Sequence, residues 1–301
     1  MSGATIAHPV GDARPGGHGA GQVDRRSGLT QRDFAREYLD PLKPVIVTDA
    51  FEHWRASQKW TPGFFREAYG SRSVTVDGVQ HTLSGLLDLI ERSNAATPAP
   101  YLRNVAIADW APELLADIEP LPIQIRPNWL DSRLFPERPS LTSLELYIGG
   151  AGASFPTLHF DNMHTHAFLM QLFGSKEYVV YSPAQTPWLY PRPGIEANKS
   201  SIGDLDHPDL TRFPLFARAV PGRCVLRPGE MLFVPSGWWH TARILEPSIT
   251  VSANAVNSSN WEEFAGDYLR SASRHRSPKA LALLTAYLKV FRFIEQFAPW
   301  L

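Results

Sequence analysis

The chain has 301 residues, with 29 basic against 30 acidic side chains and a formal charge of −1. No global field therefore draws it to nucleic acid or to an anionic membrane, and neither partner is expected. Its single cysteine, Cys224, excludes a disulfide scaffold and any multi-cysteine zinc or iron–sulfur site. With no secretory or membrane-spanning apolar run, a cytoplasmic location is the expectation.

Residues 1–28 are rich in Gly, Ala and Arg and lack apolar periodicity. They read as a flexible tail in which His8 and His18 are solvated. Thr30 then precedes QRDFAREYL, where Phe34 and Tyr38 share one helical face and Thr30 with Asp33 forms a capping box. Pro44–Thr48 reads as a short buried strand, and Thr61-Pro62 opens a helix through Tyr69 with proline at the first helical position. Ser71–Asp77 reads as a strand, Leu83–Arg92 as a helix, Tyr101–Arg103 as a short strand and Pro112–Asp117 as a helix. From Leu141 the pattern turns to β. The expected strands are Ser143–Ile148, Thr157–Phe160, Ala167–Phe173, Glu177–Tyr181, Arg223–Leu226, Glu230–Val234, His240–Ile244 and Ile249–Asn254. So many short strands separated by Gly, Pro and Ser fit a jelly roll or barrel. The expected organisation is a tail (1–28), a β domain with an N-terminal helical approach (29–258) and a C-terminal helical segment (259–301). In that last segment Leu281, Leu284, Leu288, Phe291 and Ile294–Phe297 form an apolar stripe. Such a stripe packs on its own core or pairs two subunits into a homodimer.

Within the β region, His159-Phe160-Asp161 places an imidazole and a carboxylate on one face of a strand, because residues i and i+2 point the same way. Alone the motif is weak, and a second copy, His207-Pro208-Asp209, lies in a Pro-rich polar stretch that reads as loop. His240 follows the turn Pro235-Ser236-Gly237 and opens a strand that can face back into the barrel. Two histidines and one carboxylate leave open positions on a metal, the facial arrangement of non-haem Fe(II) oxygenases. Lys176, in Gly174-Ser175-Lys176-Glu177, sits just inside a strand. Burying its charge is costly unless an anion meets it, and a dicarboxylate cosubstrate would do so.

Together these segments resemble the JmjC-domain hydroxylases of cupin type, in the subgroup of the asparaginyl hydroxylase that inhibits hypoxia-inducible factor. The resemblance runs from about Arg32 to Asn254. It rests on KPVIVTDAFEHW, KWTPGFFREAYG, TLHFD, QLFGSKEYVVYSP, LYP, DHPDLTRFP, PGEMLFVPSGWWH and SITVSAN, in the family's order. It implies a mainly β fold with flanking helices, a double-stranded β-helix. It further implies that His159, Asp161 and His240 hold Fe(II), that Lys176 pairs with the distal carboxylate of 2-oxoglutarate, and that the Tyr101 hydroxyl joins that lysine. Asn254 matches an asparagine near the metal-bound end of the cosubstrate. Arg103 lies where the family contacts substrate. Thr157 is a cosubstrate candidate beside Pro156, which occupies the position of the family's usual Ser or Thr. His164 and His166 stand where an asparagine is usual and are substrate-contact candidates, as is Trp239, which with Trp238 can close the hydrophobic shell.

The resemblance thus implies a 2-oxoglutarate-dependent dioxygenase, an oxidoreductase that hydroxylates a protein or peptide side chain. The same chemistry on a small molecule or amino acid, and a cupin-like binding protein without activity, are the alternatives.

Overall fold

The computed structural model describes residues 23–135 and 144–297. His8, His18, most of the expected tail and the first residue of the expected strand from Ser143 lie outside these residues.

Among the described residues twelve strands build the domain. Their ranges are β1 Asp24–Arg26, β2 Val45–Val47, β3 Ser73–Val76, β4 Val79–Thr82, β5 Leu102–Ala106, β6 Glu145–Gly149, β7 His166–Phe173, β8 Lys176–Tyr181, β9 Gly222–Leu226, β10 Met231–Val234, β11 Trp239–Ile244 and β12 Ser248–Ala255. Seven of them form one sheet in the order β1-β2-β10-β7-β12-β6-β5, three form a second, β11-β8-β9, and β3-β4 is a hairpin. The two main sheets share an apolar layer in which Ile46, Ala167, Leu232 and Val234 of the large sheet meet Tyr178, Val180, Leu226 and Ala242 of the small one. The result is a β-rich jelly roll with flanking helices, the fold class expected from the sequence.

The helices are α1 Gln31–Phe34, α2 Ala56–Lys59, α3 Pro62–Tyr69, α4 Leu83–Glu91, α5 Ile107–Trp110, α6 Trp261–Ala272 and α7 Pro278–Phe297. Their N-terminal caps follow the local chemistry. The Thr30 hydroxyl accepts from the Asp33 amide at 3.1 Å, and the Thr61 hydroxyl accepts from Phe64 at the same distance. Helix α1 continues as a π-helical turn over Ala35–Leu39, which still buries Phe34 and Tyr38 together. Helices α3 and α4 cover the outer face of the large sheet through Phe65, Leu83, Leu86 and Leu87. No helix among the described residues is long and apolar enough to cross a membrane.

Two departures from the sequence reading have local causes. First, Asp24–Arg26 lies inside the stretch read as tail, yet it pairs in parallel with β2. It carries no apolar alternation; it is recruited by the open edge of β2 and tied down by Arg26 to Glu37 at 2.7 Å and by Arg25 to the Val225 carbonyl at 2.7 Å. Second, the strand expected at Thr157–Phe160 is reduced to isolated bridges at His159, to Lys199 on one side and His240 on the other. The C-terminal stripe takes the first of its two expected places and packs on its own core. Leu284, Leu288 and Phe291 bury against Trp129, Phe135, Trp261 and Phe264. The face of α7 left exposed carries Leu283, Tyr287, Val290 and Phe293, together with Phe297 from the end of the expected stripe.

Candidate active site

The bridge at His159 brings the two histidines together. The His240 amide donates to the His159 carbonyl at 2.6 Å, and the His159 amide donates back at 3.1 Å. Their rings lie 4.5 Å apart, and His159 stacks on Phe155 at 4.4 Å. Each Nδ1 meets the carbonyl oxygen of the residue two places earlier, Thr157 at 3.0 Å and Trp238 at 3.1 Å. A carbonyl only accepts, so each Nδ1 carries the proton and each Nε2 presents a lone pair. Asp161 Oδ1 stands 3.7 Å from His159 Nε2 and 3.8 Å from His240 Nε2. The three ligand atoms lie within 4.8 Å of one another, and no other group of metal-ligand residues is found among the described residues. Phe160 turns to the other side and packs on Trp239 at 5.0 Å, as strand alternation requires.

The electrostatics of this cluster ask for a cation. Burial, and next the neighbouring His240, push His159 down to about 3, so its ring is neutral. Burial raises the Asp161 carboxyl, and among the described residues the one hydrogen bond it accepts is a long one from Asn254 Nδ2, at 3.5 Å. Two aimed lone pairs and a carboxylate short of donors fit a divalent metal with positions left open.

The other end of the same cavity holds Lys176, 1 % exposed. Its Nζ donates to the Tyr101 hydroxyl at 2.8 Å and lies 5.0 Å from the Tyr101 ring and 5.7 Å from Tyr147. No carboxylate pairs with it among the described residues, and burial lowers the amine to about 7. Two glycines set this geometry. Gly174 turns the β7–β8 hairpin at φ +64°, where a Cβ would strike the Pro247 carbonyl. A Cβ on Gly149 would come within 2.7 Å of the Tyr101 ring. Gln171 braces the hairpin. Its amide nitrogen donates to the Gly174 carbonyl at 3.0 Å, and its oxygen accepts from Thr250 at 2.8 Å. Asn254 lines the cavity beside Asp161, 3.5 Å from its carboxylate, and donates to the Thr165 hydroxyl at 2.9 Å.

The remaining candidates go elsewhere. Thr157 lines an outer groove with Glu177 and Arg223, not the cavity: only isolated bridges form at His159, so no regular strand carries the i, i+2 relation back to Thr157. Met163 and His164 both adopt positive φ, 57° and 51°. This turn breaks the i, i+2 relation that would have put His164 and His166 beside the triad. His164 instead meets Asp267 at 2.7 Å in a separate groove. His166 is fully buried, accepts from the Ser236 amide at 3.0 Å and lies 2.9 Å from the Ser259 hydroxyl. Burial holds it neutral, with its pKa down to about 3. Trp239 is core, its Nε1 donating to Thr186 at 2.9 Å. Arg103 pairs with Asp77 at 2.7 Å and lies over the rings of Tyr101 and Phe155, which line the cavity. His207 and Asp209 of the second motif lie in a loop, with His207 88 % exposed. Sequence reasoning passed over Asn104, Glu145 and Tyr147, which line the cavity beside the triad. Glu145 and Tyr147 share a face by the same alternation that exposed the triad, so that signal was present.

A family model described as a cupin-like domain matches residues 31–258. The chain belongs to this cupin-like JmjC family. Members use Fe(II) and 2-oxoglutarate, and the triad and Lys176 fit those two cofactors. The cupin-like chain is 31 % identical over 255 residues to lysine-specific demethylase JMJ30 of Arabidopsis thaliana, covering 79 % of this chain and 56 % of that protein. It is 31 % identical over 229 residues to lysine-specific demethylase 8 of Xenopus tropicalis, covering 73 % and 49 %. With tRNA wybutosine-synthesizing protein 5 of Gallus gallus the figures are 28 % over 240 residues, covering 73 % and 72 %. The chain spans about half the length of the two demethylases it matches.

Proposed function

We propose that this domain is an Fe(II)- and 2-oxoglutarate-dependent dioxygenase that hydroxylates a side chain of a protein or peptide, in the cytoplasm. The observation that carries the reading is Lys176, a buried amine with no carboxylate partner among the described residues, in one cavity with the His159–Asp161–His240 cluster. One group that must bind a metal at one end and satisfy a cation at the other is a keto dicarboxylate. Fe(II) with 2-oxoglutarate and dioxygen supplies the oxidising chemistry, with release of succinate and CO₂. The chain's part is to hold His159, Asp161 and His240 as ligands, to neutralise the distal carboxylate with Lys176 and Tyr101, and to exclude water with the aromatic walls of Phe155, Tyr147 and Tyr178. Protein substrates are favoured by the relatives named for lysine and arginine demethylation, a variant of the same hydroxylation at an N-methyl group. Incubation with Fe(II), ascorbate and 2-oxoglutarate is expected to yield succinate, at a rate that rises with the correct peptide. A folded sample that binds neither iron nor 2-oxoglutarate contradicts the reading.

We also propose that the exposed face of α7 pairs two copies of this chain. Leu283, Tyr287, Val290 and Phe297 recur at coiled-coil spacing along one helix, and a groove lined by Ala265, Gly266 and Leu269 runs beside them. One patch then carries both ridge and groove, as a two-fold interface requires. Wild-type protein is expected to sediment as a dimer at micromolar concentration and Val290→Glu as a monomer. A monomeric wild type contradicts the pairing.

A further inference from the structure

Glu145 is the one charged side chain lining the cavity that neither the metal nor the cosubstrate uses. Its Oε2 accepts from the Tyr147 hydroxyl at 2.7 Å and from Asn104 Nδ2 at 2.9 Å. Asn104 donates as well to the Tyr147 oxygen at 2.7 Å, and is held at φ +56° to do so. Both donors to Glu145 are neutral and both fall on one oxygen. Among the described residues no lysine, arginine or histidine forms an ion pair with this carboxylate. Arg103, which lies over the cavity-lining rings of Tyr101 and Phe155, is spent on Asp77 at 2.7 Å.

The charge of the loaded cavity follows from these assignments. The metal's charge cancels that of the cosubstrate, and Asp161 offsets Lys176. Glu145 is left over, a fixed negative charge in a partly desolvated wall, oriented by two neutral donors and with Oε1 available. Such a carboxylate penalises a neutral or anionic group that displaces its water and rewards a cation that pairs with it. We propose that Glu145 selects the substrate, and that the side chain entering this site is cationic, an ammonium or guanidinium that pairs with Glu145 Oε1 beside the metal. The inference rests on the hydroxylase reading above and adds the chemical class of the group accepted.

Fluorescence polarisation on the Mn(II)- and 2-oxoglutarate-loaded protein tests it. The probes are labelled peptide pools of random sequence with one fixed central residue, arginine against its neutral isostere citrulline and lysine against norleucine. Wild-type protein is expected to bind a cationic pool about 30-fold more tightly than its neutral partner, and Glu145→Gln to lose that preference. Equal binding of each pair by wild-type protein overturns the proposal without any variant having to fold. So does a preference that persists in a folded Glu145→Gln protein. Wild-type protein that fails to take up 2-oxoglutarate at the loading step defeats the parent reading instead.

Discussion

Replacing Asp161 by alanine is expected to lower 2-oxoglutarate turnover by roughly 1,000-fold or more, because two histidines alone no longer hold the metal against solvent. The fold should survive the change. In the metal-free protein this carboxylate is half-buried beside His159 and His240, and among the described residues the one hydrogen bond it accepts is the long one from Asn254. Removing it therefore relieves a desolvation cost rather than breaking a pair. Metal-free Asp161→Ala should melt no lower than metal-free wild type. Mn(II) at 100 times its dissociation constant should stabilise wild type by about 2.7 kcal/mol and leave the variant unmoved. Thermal melts with and without Mn(II) read both effects. A variant that melts upward with metal as wild type does would remove Asp161 from the ligand set.

Lys176→Met should weaken 2-oxoglutarate binding by about 100-fold or more while leaving metal binding intact, since it removes the cation facing the distal carboxylate and keeps the side chain's length. The pH dependence follows from the lowered amine. In the ligand-free fold Lys176 titrates at about 7, against 10.5 for the ordinary lysine. Between those values the unfolded chain holds a proton that the native chain has lost, so the stability of the unliganded protein rises with pH across that window and is flat below it. The cosubstrate needs the charged amine. Its affinity should then fall toward tenfold per pH unit above 7, as protonation must be supplied on binding. Calorimetric titrations of the Mn(II)-loaded protein at several pH values measure this. In Lys176→Met the slope should vanish, and a slope that remains there would place the titrating group elsewhere.

The legible parts of the site were those where chain geometry is regular. His159 and Asp161 obey strand alternation although only bridges surround them. His240 is placed by a turn whose Pro, Ser and Gly are visible in the sequence. The pairing of Lys176 with Tyr101 came from the family resemblance, since 75 residues separate them and no local pattern links the two. Part of what was missed depended on irregular backbone. The left-handed turn at Met163 and His164 takes His164 to Asp267 and away from the substrate-contact place expected of it. Asn104 reaches Glu145 and Tyr147 only because its own φ is positive. Trp239 was read as a site residue for its neighbour His240, but alternation sends it to the opposite side, against Phe160. Strand β1 gave no apolar signal, because an edge strand on a buried sheet needs backbone partners more than a hydrophobic face.

The most direct test of a shared metal and cosubstrate cavity is a sequential calorimetric titration, Mn(II) first and 2-oxoglutarate second, on the wild-type chain and on His159→Ala. One equivalent of Mn(II) should bind, followed by one equivalent of 2-oxoglutarate whose affinity rises when the metal is present, and His159→Ala should lose both responses. Affinity for 2-oxoglutarate that is the same with and without Mn(II), or no uptake of either by the folded wild type, would contradict it.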